Sequence, residues 1–313
     1  MTRLKVGIVG TGRLGSVLAY RILVSGMVKE LYLVDIRKDV VWGVSEDLKH
    51  ALGSLRREVV INYSSDPSDL SNMDLILVTA GKPRIPGVPM TREELAEANA
   101  NIIRDIALAV GERNPGAKYV IITNPVDVMA SLFLYYNRSS YVYSSGCSLD
   151  SARLRWFIAR ETNTSLDEVS GFVIGSHGVV QGIAESLLFI RGVHAREYLG
   201  EKYDEFIIRA RDYVEKIAKQ VIDAAGATIF GPTEVFTRIV MGLAGLDIVE
   251  SIGLPYSING YKVFVSMPAI ISGAGVQGLP HLLNDEEKNL LDKAARHVLN
   301  VFLNIMKKLG EAP

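Results

Sequence analysis

The first half of the chain repeats one pattern, in which a short run of apolar residues is followed by a longer amphipathic segment. The apolar runs show no alternation with polar residues, which is typical of strands buried on both faces of a parallel sheet. They cover residues 6–9, 31–34, 75–78, 119–122 and 141–143, and segments of helical periodicity cover residues 14–25, 41–52, 91–113 and 126–137. This alternation predicts an α/β fold whose N-terminal part is a doubly wound parallel sheet.

The second half loses this regular alternation. We expect helices over residues 149–162, 203–225, 233–251 and 285–309, and strands over residues 168–174, 183–191 and 261–265. At 313 residues the chain has the length of two domains of about 150 residues each. We therefore predict an N-terminal domain of Rossmann type over residues 1–145 and a mixed α+β domain over residues 146–313.

The charge balance limits the partners that the protein can have. Its 34 basic and 35 acidic residues give a formal net charge of −1, so the chain has no excess of cations for binding nucleic acid or an anionic membrane. The one cysteine, Cys147, rules out an internal disulfide and a cysteine-based metal site. The chain does not start with a signal peptide pattern, and no apolar run approaches the roughly 18 residues of a membrane span. We expect a cytoplasmic protein.

A glycine motif follows the first apolar run. Gly10-Thr11-Gly12-Arg13-Leu14-Gly15 has the G-x-G-x-x-G spacing, and it lies where the first helix is predicted to begin. Such a turn brings backbone N–H groups close to a pyrophosphate. Asp35 stands 20 positions beyond Gly15, where an acidic residue accepts hydrogen bonds from the adenosine ribose and favours NAD. Arg37 and Lys38 leave some use of NADP open, and the alternative is that the glycines serve only helix–strand packing.

Three further sets of polar residues are each ambiguous when taken alone. His177, in Gly175-Ser176-His177-Gly178, suits a general acid–base or an ordinary turn. Asp150 suits a helix N-cap or a partner for that histidine, and Arg153 shares its helix face. Asn124 and Asp127 follow a predicted strand, where they either face a ligand crevice or cap the next helix.

A loop rich in proline and glycine joins the apolar run 75–78 to the helix that begins near Thr91. It carries Arg84 and Arg92 in a segment with little other charge. Because the chain as a whole is nearly neutral, we expect any recognition of an anion to depend on a few placed arginines such as these.

Together these residues resemble the lactate/malate dehydrogenase family over nearly the whole chain. The motifs that carry the resemblance are Gly10-x-Gly12-x-x-Gly15, Asp35, Thr79-Ala80-Gly81, Arg84, Arg92, Thr123-Asn124-Pro125, Leu149-Asp150-Ser151-Ala152-Arg153 and Gly175-Ser176-His177-Gly178. Within the family the chain is most similar to the malate dehydrogenases that are close to lactate dehydrogenase.

The resemblance implies a reaction in which NADH reduces a 2-oxo acid. His177 would exchange the proton, Asp150 would orient it, and Arg153 would bind the substrate carboxylate. Arg92 would polarise the carbonyl, and Asn124 would hydrogen-bond the same oxygen. The residues implied to contact NAD are Gly10, Thr11, Gly12, Arg13, Leu14, Gly15, Asp35, Thr79, Ala80, Gly81, Asn99, Thr123 and Asn124. The resemblance implies no metal. It implies that the protein is a homodimer or a homotetramer.

The choice between malate and lactate rests on Arg84. The family has arginine at this loop position for malate and glutamine for lactate, so a small dicarboxylate is the expected substrate. Thr228 occupies a pocket position where lactate enzymes commonly have threonine, which keeps lactate or a broad range of 2-hydroxy acids as alternatives. The segment between Gly87 and Arg92 is longer than is usual in the family. An NAD-dependent glycosidase and an inactive NAD-binding protein are the alternatives from other classes.

Overall fold

The computed structural model describes residues 3–82 and 91–311, and for Arg92 and Glu93 it describes the backbone only. The strands in these ranges are β1 (Leu4–Val9), β2 (Val28–Val34), β3 (Val60–Ser64), β4 (Leu75–Val78), β5 (Lys118–Ile121), β6 (Val142–Ser144), β7 (Val169–Ser170), β8 (Val173–Ser176), β9 (Val180–Ile183), β10 (Phe189–Ile190), β11 (Val193–His194), β12 (Ile248–Ile258), β13 (Tyr261–Ser272) and β14 (Gly275–Gly278). The helices are α1 (Arg13–Ser25), α2 (Lys38–Leu55), α3 (Arg92–Gly111), α4 (Val126–Asn137), α5 (Ser148–Thr162), α6 (Ala195–Leu199), α7 (Tyr203–Ala225), α8 (Phe230–Leu243) and α9 (Asp285–Lys308).

Six parallel strands in the order β3-β2-β1-β4-β5-β6 form the first part of the main sheet. This is the strand order of a Rossmann fold, in which the direction of winding reverses between β1 and β4. All four residues of β4 are buried, as expected for a central strand covered by helices on both faces. The predicted α/β fold with an N-terminal Rossmann sheet is confirmed.

The main sheet continues into the second half of the chain through antiparallel strands. β12 pairs with β6 at Gly253 and Ser144, and β13 then pairs with β12 along its whole length. β8 joins β13 at Gly175 and Ser266, and β9 follows β8 as a hairpin. The expected mixed character of the second half is confirmed. Helix α5 packs against β8 and β12, helix α7 packs against α5, and β7, β10 and β11 form a separate small sheet.

Some local predictions differ from the structure. The expected helix over residues 233–251 ends at Leu243, and residues 248–258 form β12. The expected strand over residues 183–191 is divided by a short 3-10 helix, Glu185–Leu187. The strand β3 was not predicted, because it is a partly exposed edge strand with only one buried residue. Short apolar runs do not by themselves separate strand from helix, which accounts for the first error.

Candidate active site

The turn after β1 shows a different reason for each of its three glycines. Gly10 has a φ of +101°, and a Cβ there would lie 2.5 Å from the backbone nitrogen of Ala80. A Cβ at Gly15 would overlap the carbonyl oxygen of Gly10, so this glycine lets α1 pack against the strand. No atom lies within 4 Å of the position that a Cβ on Gly12 would take. The fold itself does not require glycine at Gly12, and that open space at the start of α1 fits the approach of a dinucleotide pyrophosphate.

Asp35 lies just beyond β2, at the same edge of the sheet, and only 8% of it is exposed. Its carboxylate accepts hydrogen bonds from the Thr11 backbone nitrogen at 2.9 Å and from the Thr11 hydroxyl at 3.2 Å. It also pairs with Arg37, whose Nε lies 3.1 Å away. Burial alone would raise the pKa of Asp35, but the hydrogen bonds from Arg37 and Thr11 outweigh it and lower the pKa. An ionised carboxylate therefore stands where the sequence predicts contact with the ribose.

The predicted cofactor residues after β4 and β5 are connected to one another. The Thr79 hydroxyl donates to the carbonyl oxygen of Gly10 at 2.7 Å, and the Thr123 hydroxyl donates to that of Ala80 at 2.7 Å. The buried Asn99 side chain accepts from the Lys82 nitrogen and donates to the Asn124 carbonyl oxygen. These bonds hold the carboxyl ends of β1, β4 and β5 together, so Thr79, Thr123 and Asn99 support the shape of the crevice.

His177 lies in the turn of the β8–β9 hairpin and contacts the first turns of α5. Its Nδ1 lies 2.5 Å from Oδ2 of Asp150, and Arg153 Nη1 donates to Oδ1 of Asp150 at 2.9 Å. Asp150 is 2% exposed, and although burial raises its pKa, His177 and Arg153 together lower it below the usual value. An ionised carboxylate only accepts hydrogen bonds, so Nδ1 is the ring nitrogen of His177 that carries a hydrogen. Asp150 is the third residue of α5 and not its N-cap.

Asp127 has a contact that the sequence did not reveal. Asp127 is the second residue of α4 and does not cap it. Its carboxylate accepts hydrogen bonds from the backbone nitrogen of His177 at 2.8 Å and from the Ser144 hydroxyl at 2.7 Å. Burial raises its pKa despite these bonds. The position of Asp127 three residues after Asn124 was the available signal, but it did not show which backbone would lie opposite.

The other predicted substrate residues are Arg84, Arg92, Asn124 and Thr228, and the structure describes only some of them in full. Arg84 lies outside the described residues, as does the long segment after Gly87, and only the backbone of Arg92 is described, as the first residue of α3. Asn124 is exposed beyond β5, next to a cis peptide bond to Pro125. Thr228 lies in the connection between α7 and α8, partly buried. In this connection a Cβ on Gly226 would lie 3.7 Å from a guanidinium nitrogen of Arg13.

Among residues 3–82 and 91–311, no group of three or more His, Cys, Asp or Glu side chains is arranged to hold a metal ion. None of the helices in that part of the chain combines the length and apolar character that crossing a membrane requires.

Comparison with known proteins places both halves of the chain. A family model described as lactate/malate dehydrogenase, NAD binding domain, matches residues 4–141, and its alpha/beta C-terminal counterpart matches residues 147–308. A malate dehydrogenase of Sulfolobus acidocaldarius is 32% identical over 98% of each chain. An L-lactate dehydrogenase of Clostridium acetobutylicum is 29% identical over 93% of this chain and 95% of its own. The crystal structure of malate dehydrogenase from Plasmodium falciparum shares the fold, with a TM-score of 0.89 at 22% identity over 98% of this chain and 99% of that chain.

Proposed function

Since the chain belongs to the lactate/malate dehydrogenase family, we propose that it catalyses the reversible oxidation of (S)-malate to oxaloacetate. Family membership makes it an NAD-dependent 2-hydroxyacid dehydrogenase that acts on small carboxylate substrates. The observation that carries the catalytic part of the proposal is the contact of one buried carboxylate, Asp150, with both His177 and Arg153. This contact joins a proton-exchanging group to a group that binds an anion.

Each side chain has a separate role in the proposed reaction. NAD supplies hydride transfer when bound, and the open space at Gly12 fits its pyrophosphate. His177, protonated at Nε2, donates its proton to the oxygen of the reduced carbonyl, and in the reverse direction neutral His177 accepts it. Asp150 holds Nδ1–H and stabilises the imidazolium while it is charged. Arg153 binds the carboxylate next to the reacting carbon through its guanidinium fork.

Arg84 supports malate over lactate in this proposal. It matches the family position that carries arginine in malate enzymes, and oxaloacetate has the second carboxylate that such an arginine would bind. A charge-assisted hydrogen bond contributes about 1.5–3 kcal/mol. Pyruvate lacks this carboxylate and would leave the guanidinium without its partner, which selects against it. Arg92 is proposed to polarise the carbonyl, and Asn124 to bond the same oxygen.

The experiment compares oxaloacetate with pyruvate as substrate, with NADH oxidation followed by absorbance. We expect kcat/KM to be far higher for oxaloacetate. Arg84→Gln should move the ratio towards pyruvate by about one to two orders of magnitude. The matched control is Arg104→Gln, a change to a partly exposed arginine of α3 that pairs with its neighbour Asp105. A ratio that is unchanged in Arg84→Gln would show that Arg84 does not select the substrate.

Lactate dehydrogenase is the second candidate, and Thr228 is the observation that favours it. Its position matches one where lactate enzymes of the family commonly carry threonine, and lactate dehydrogenases are among the similar proteins. Equal or higher kcat/KM with pyruvate in the wild-type protein would favour this candidate and leave the roles of His177, Asp150 and Arg153 unchanged.

A further inference from the structure

His177 lies in a short turn between the two strands of the β8–β9 hairpin. Ser176 pairs with Val180, so residues 177–179 form the loop. The backbone nitrogen of Val179 donates to the carbonyl oxygen of Ser176 at 3.2 Å, which closes the turn. This bond leaves the backbone N–H groups of His177 and Gly178 to be paired with acceptors from other parts of the chain.

Two side chains supply these acceptors. Oδ2 of Asp127 accepts from the backbone nitrogen of His177 at 2.8 Å, and Oε1 of Gln181 accepts from that of Gly178 at 2.7 Å. Gln181 lies on β9, and its Oε1 is also 3.8 Å from Sγ of Cys147, the buried N-cap of α5. Successive N–H groups of the turn are therefore held from two directions, by α4 and by β9.

Asp127 connects the turn to the first half of the chain. It is 2% exposed, and its Oδ1 accepts from the hydroxyl of Ser144, the last residue of β6, at 2.7 Å. Asn124 lies two residues before α4 begins, and it is proposed to bond the same substrate oxygen as His177. The bond from Asp127 to the His177 backbone therefore joins the two segments that carry these groups.

We propose that Asp127 and Gln181 are positioning residues, which keep the imidazole of His177 on Asp150 and facing the substrate by holding the backbone of its turn. If either acceptor were lost, the turn would tilt on its two strands, and the ring would move with the backbone. Misplacement of a reacting group by about 1 Å can lower a rate by about 100-fold. The inference rests on the proposed role of His177 in proton exchange, and it is independent of the choice between malate and lactate.

Three variants separate the hydrogen bonds from the volume of the side chains. Asp127→Ala and Gln181→Leu remove the acceptors, so kcat should fall by on the order of 10- to 100-fold in the first and by about three- to tenfold in the second. Asp127→Asn should restore kcat to within about threefold of the wild type, because its amide oxygen can still accept from the His177 N–H. In all three variants KM for the 2-oxo acid and the affinity for NADH should stay near the wild-type values, since Arg153 and the glycine turn are unchanged.

The matched control is Glu287→Ala, which removes another buried carboxylate with the same kind of partners. Glu287 is 6% exposed, and it accepts from the backbone nitrogen of Ser186 at 2.9 Å and from its hydroxyl at 2.6 Å. We expect the melting temperature to fall in Glu287→Ala as it does in Asp127→Ala. At temperatures where both variants are folded, only Asp127→Ala should lose kcat.

Proton NMR of the protein without substrate gives a second measurement. The Nδ1–H of His177, which lies 2.5 Å from Asp150, should give a resonance far downfield. Asp127→Ala should shift or broaden this resonance, whereas Asp127→Asn and Glu287→Ala should keep it.

The proposal would be overturned by an Asp127→Ala variant that melts at a lower temperature but keeps the wild-type kcat and resonance. Equal losses of kcat in Asp127→Ala and Glu287→Ala would also overturn it. If Asp127→Ala does not fold, the half-buried Gln181 decides, and an unchanged kcat and resonance in Gln181→Leu would contradict the proposal. Failure of the proposed function would appear as a wild-type protein that turns over no 2-oxo acid, and the resonance would still test the positioning of His177.

Discussion

Replacing Asp150 with asparagine tests the electrostatic part of the mechanism while keeping the shape of the site. Asparagine retains an oxygen that accepts the hydrogen bond from His177 Nδ1, which now spans 2.5 Å. What it removes is the negative charge beside an imidazolium. Arg153, at 2.9 Å from the other oxygen, shares that charge in the wild-type protein, so the loss to His177 is smaller than for an isolated pair.

The magnitude follows from Coulomb's law. Two unit charges about 4 Å apart interact by about 4 kcal/mol at an effective dielectric constant of about 20. If Arg153 takes about half of this interaction, the loss lies between about 2 and 4 kcal/mol. Each 1.36 kcal/mol changes a rate tenfold, so kcat for reduction should fall by about 30- to 1000-fold.

The assay is steady-state reduction of oxaloacetate, and of pyruvate in parallel, with NADH binding measured separately by fluorescence. Binding of NADH should not change, because Asp150 lies on α5 and away from the glycine turn. The matched control is Asp204→Asn, which alters an exposed aspartate paired with Arg196. A fall in kcat of less than threefold, with a folded protein, would refute the argument that the charge of Asp150 stabilises the reacting histidine.

Two other predictions concern the described contacts. Burial raises the pKa of Asp127, so its carboxyl lowers stability as the pH rises above its unfolded value near 3.8. The melting temperature of Asp127→Asn, relative to that of the wild type, should therefore rise between pH 4 and pH 7. A difference in melting temperature that stays constant across this range would contradict the expected direction. Gly12→Ala should stay folded but lose about tenfold or more in NADH affinity. Gly15→Ala should unfold or melt at a far lower temperature, because, of these two glycines, only Gly15 has backbone atoms where a Cβ would be placed. Circular dichroism measures the folding of both variants, and NADH fluorescence measures their binding of the cofactor.

The fold was predicted best from the sequence where burial alone decided the pattern of apolar residues. Strands such as β4, in which every residue is buried, appear as uninterrupted apolar runs, and helices such as α7 show a clear amphipathic period. β12 was missed because Ile248–Ile258 mixes apolar residues with Glu250, Ser251, Gly253 and Pro255, so it shows neither an uninterrupted apolar run nor a regular alternation. The partial burial of the edge strand β3 left too little pattern to detect.

The site was predictable as a set of residues but not as a set of contacts. The motifs located His177, Asp150 and Arg153, and the fold brings these three together. The bond from the His177 backbone to Asp127 joins residues 50 positions apart in the sequence. Such a bond depends on how β8 meets α4 across the sheet, and no local pattern records that geometry. The division of the chain after residue 145 stays a prediction.

The continuous main sheet has a consequence for how this protein unfolds. Its backbone hydrogen bonds cross from β6 to β12, directly beside the predicted division of the chain. A fragment that ended after β6 would present an open strand edge at the place where β12 now pairs, and such edges promote association between chains. The sheet should therefore unfold cooperatively on both sides of the β6–β12 pair. In hydrogen exchange, we expect amides of β5 and β13 to exchange at similar rates through one common unfolding event.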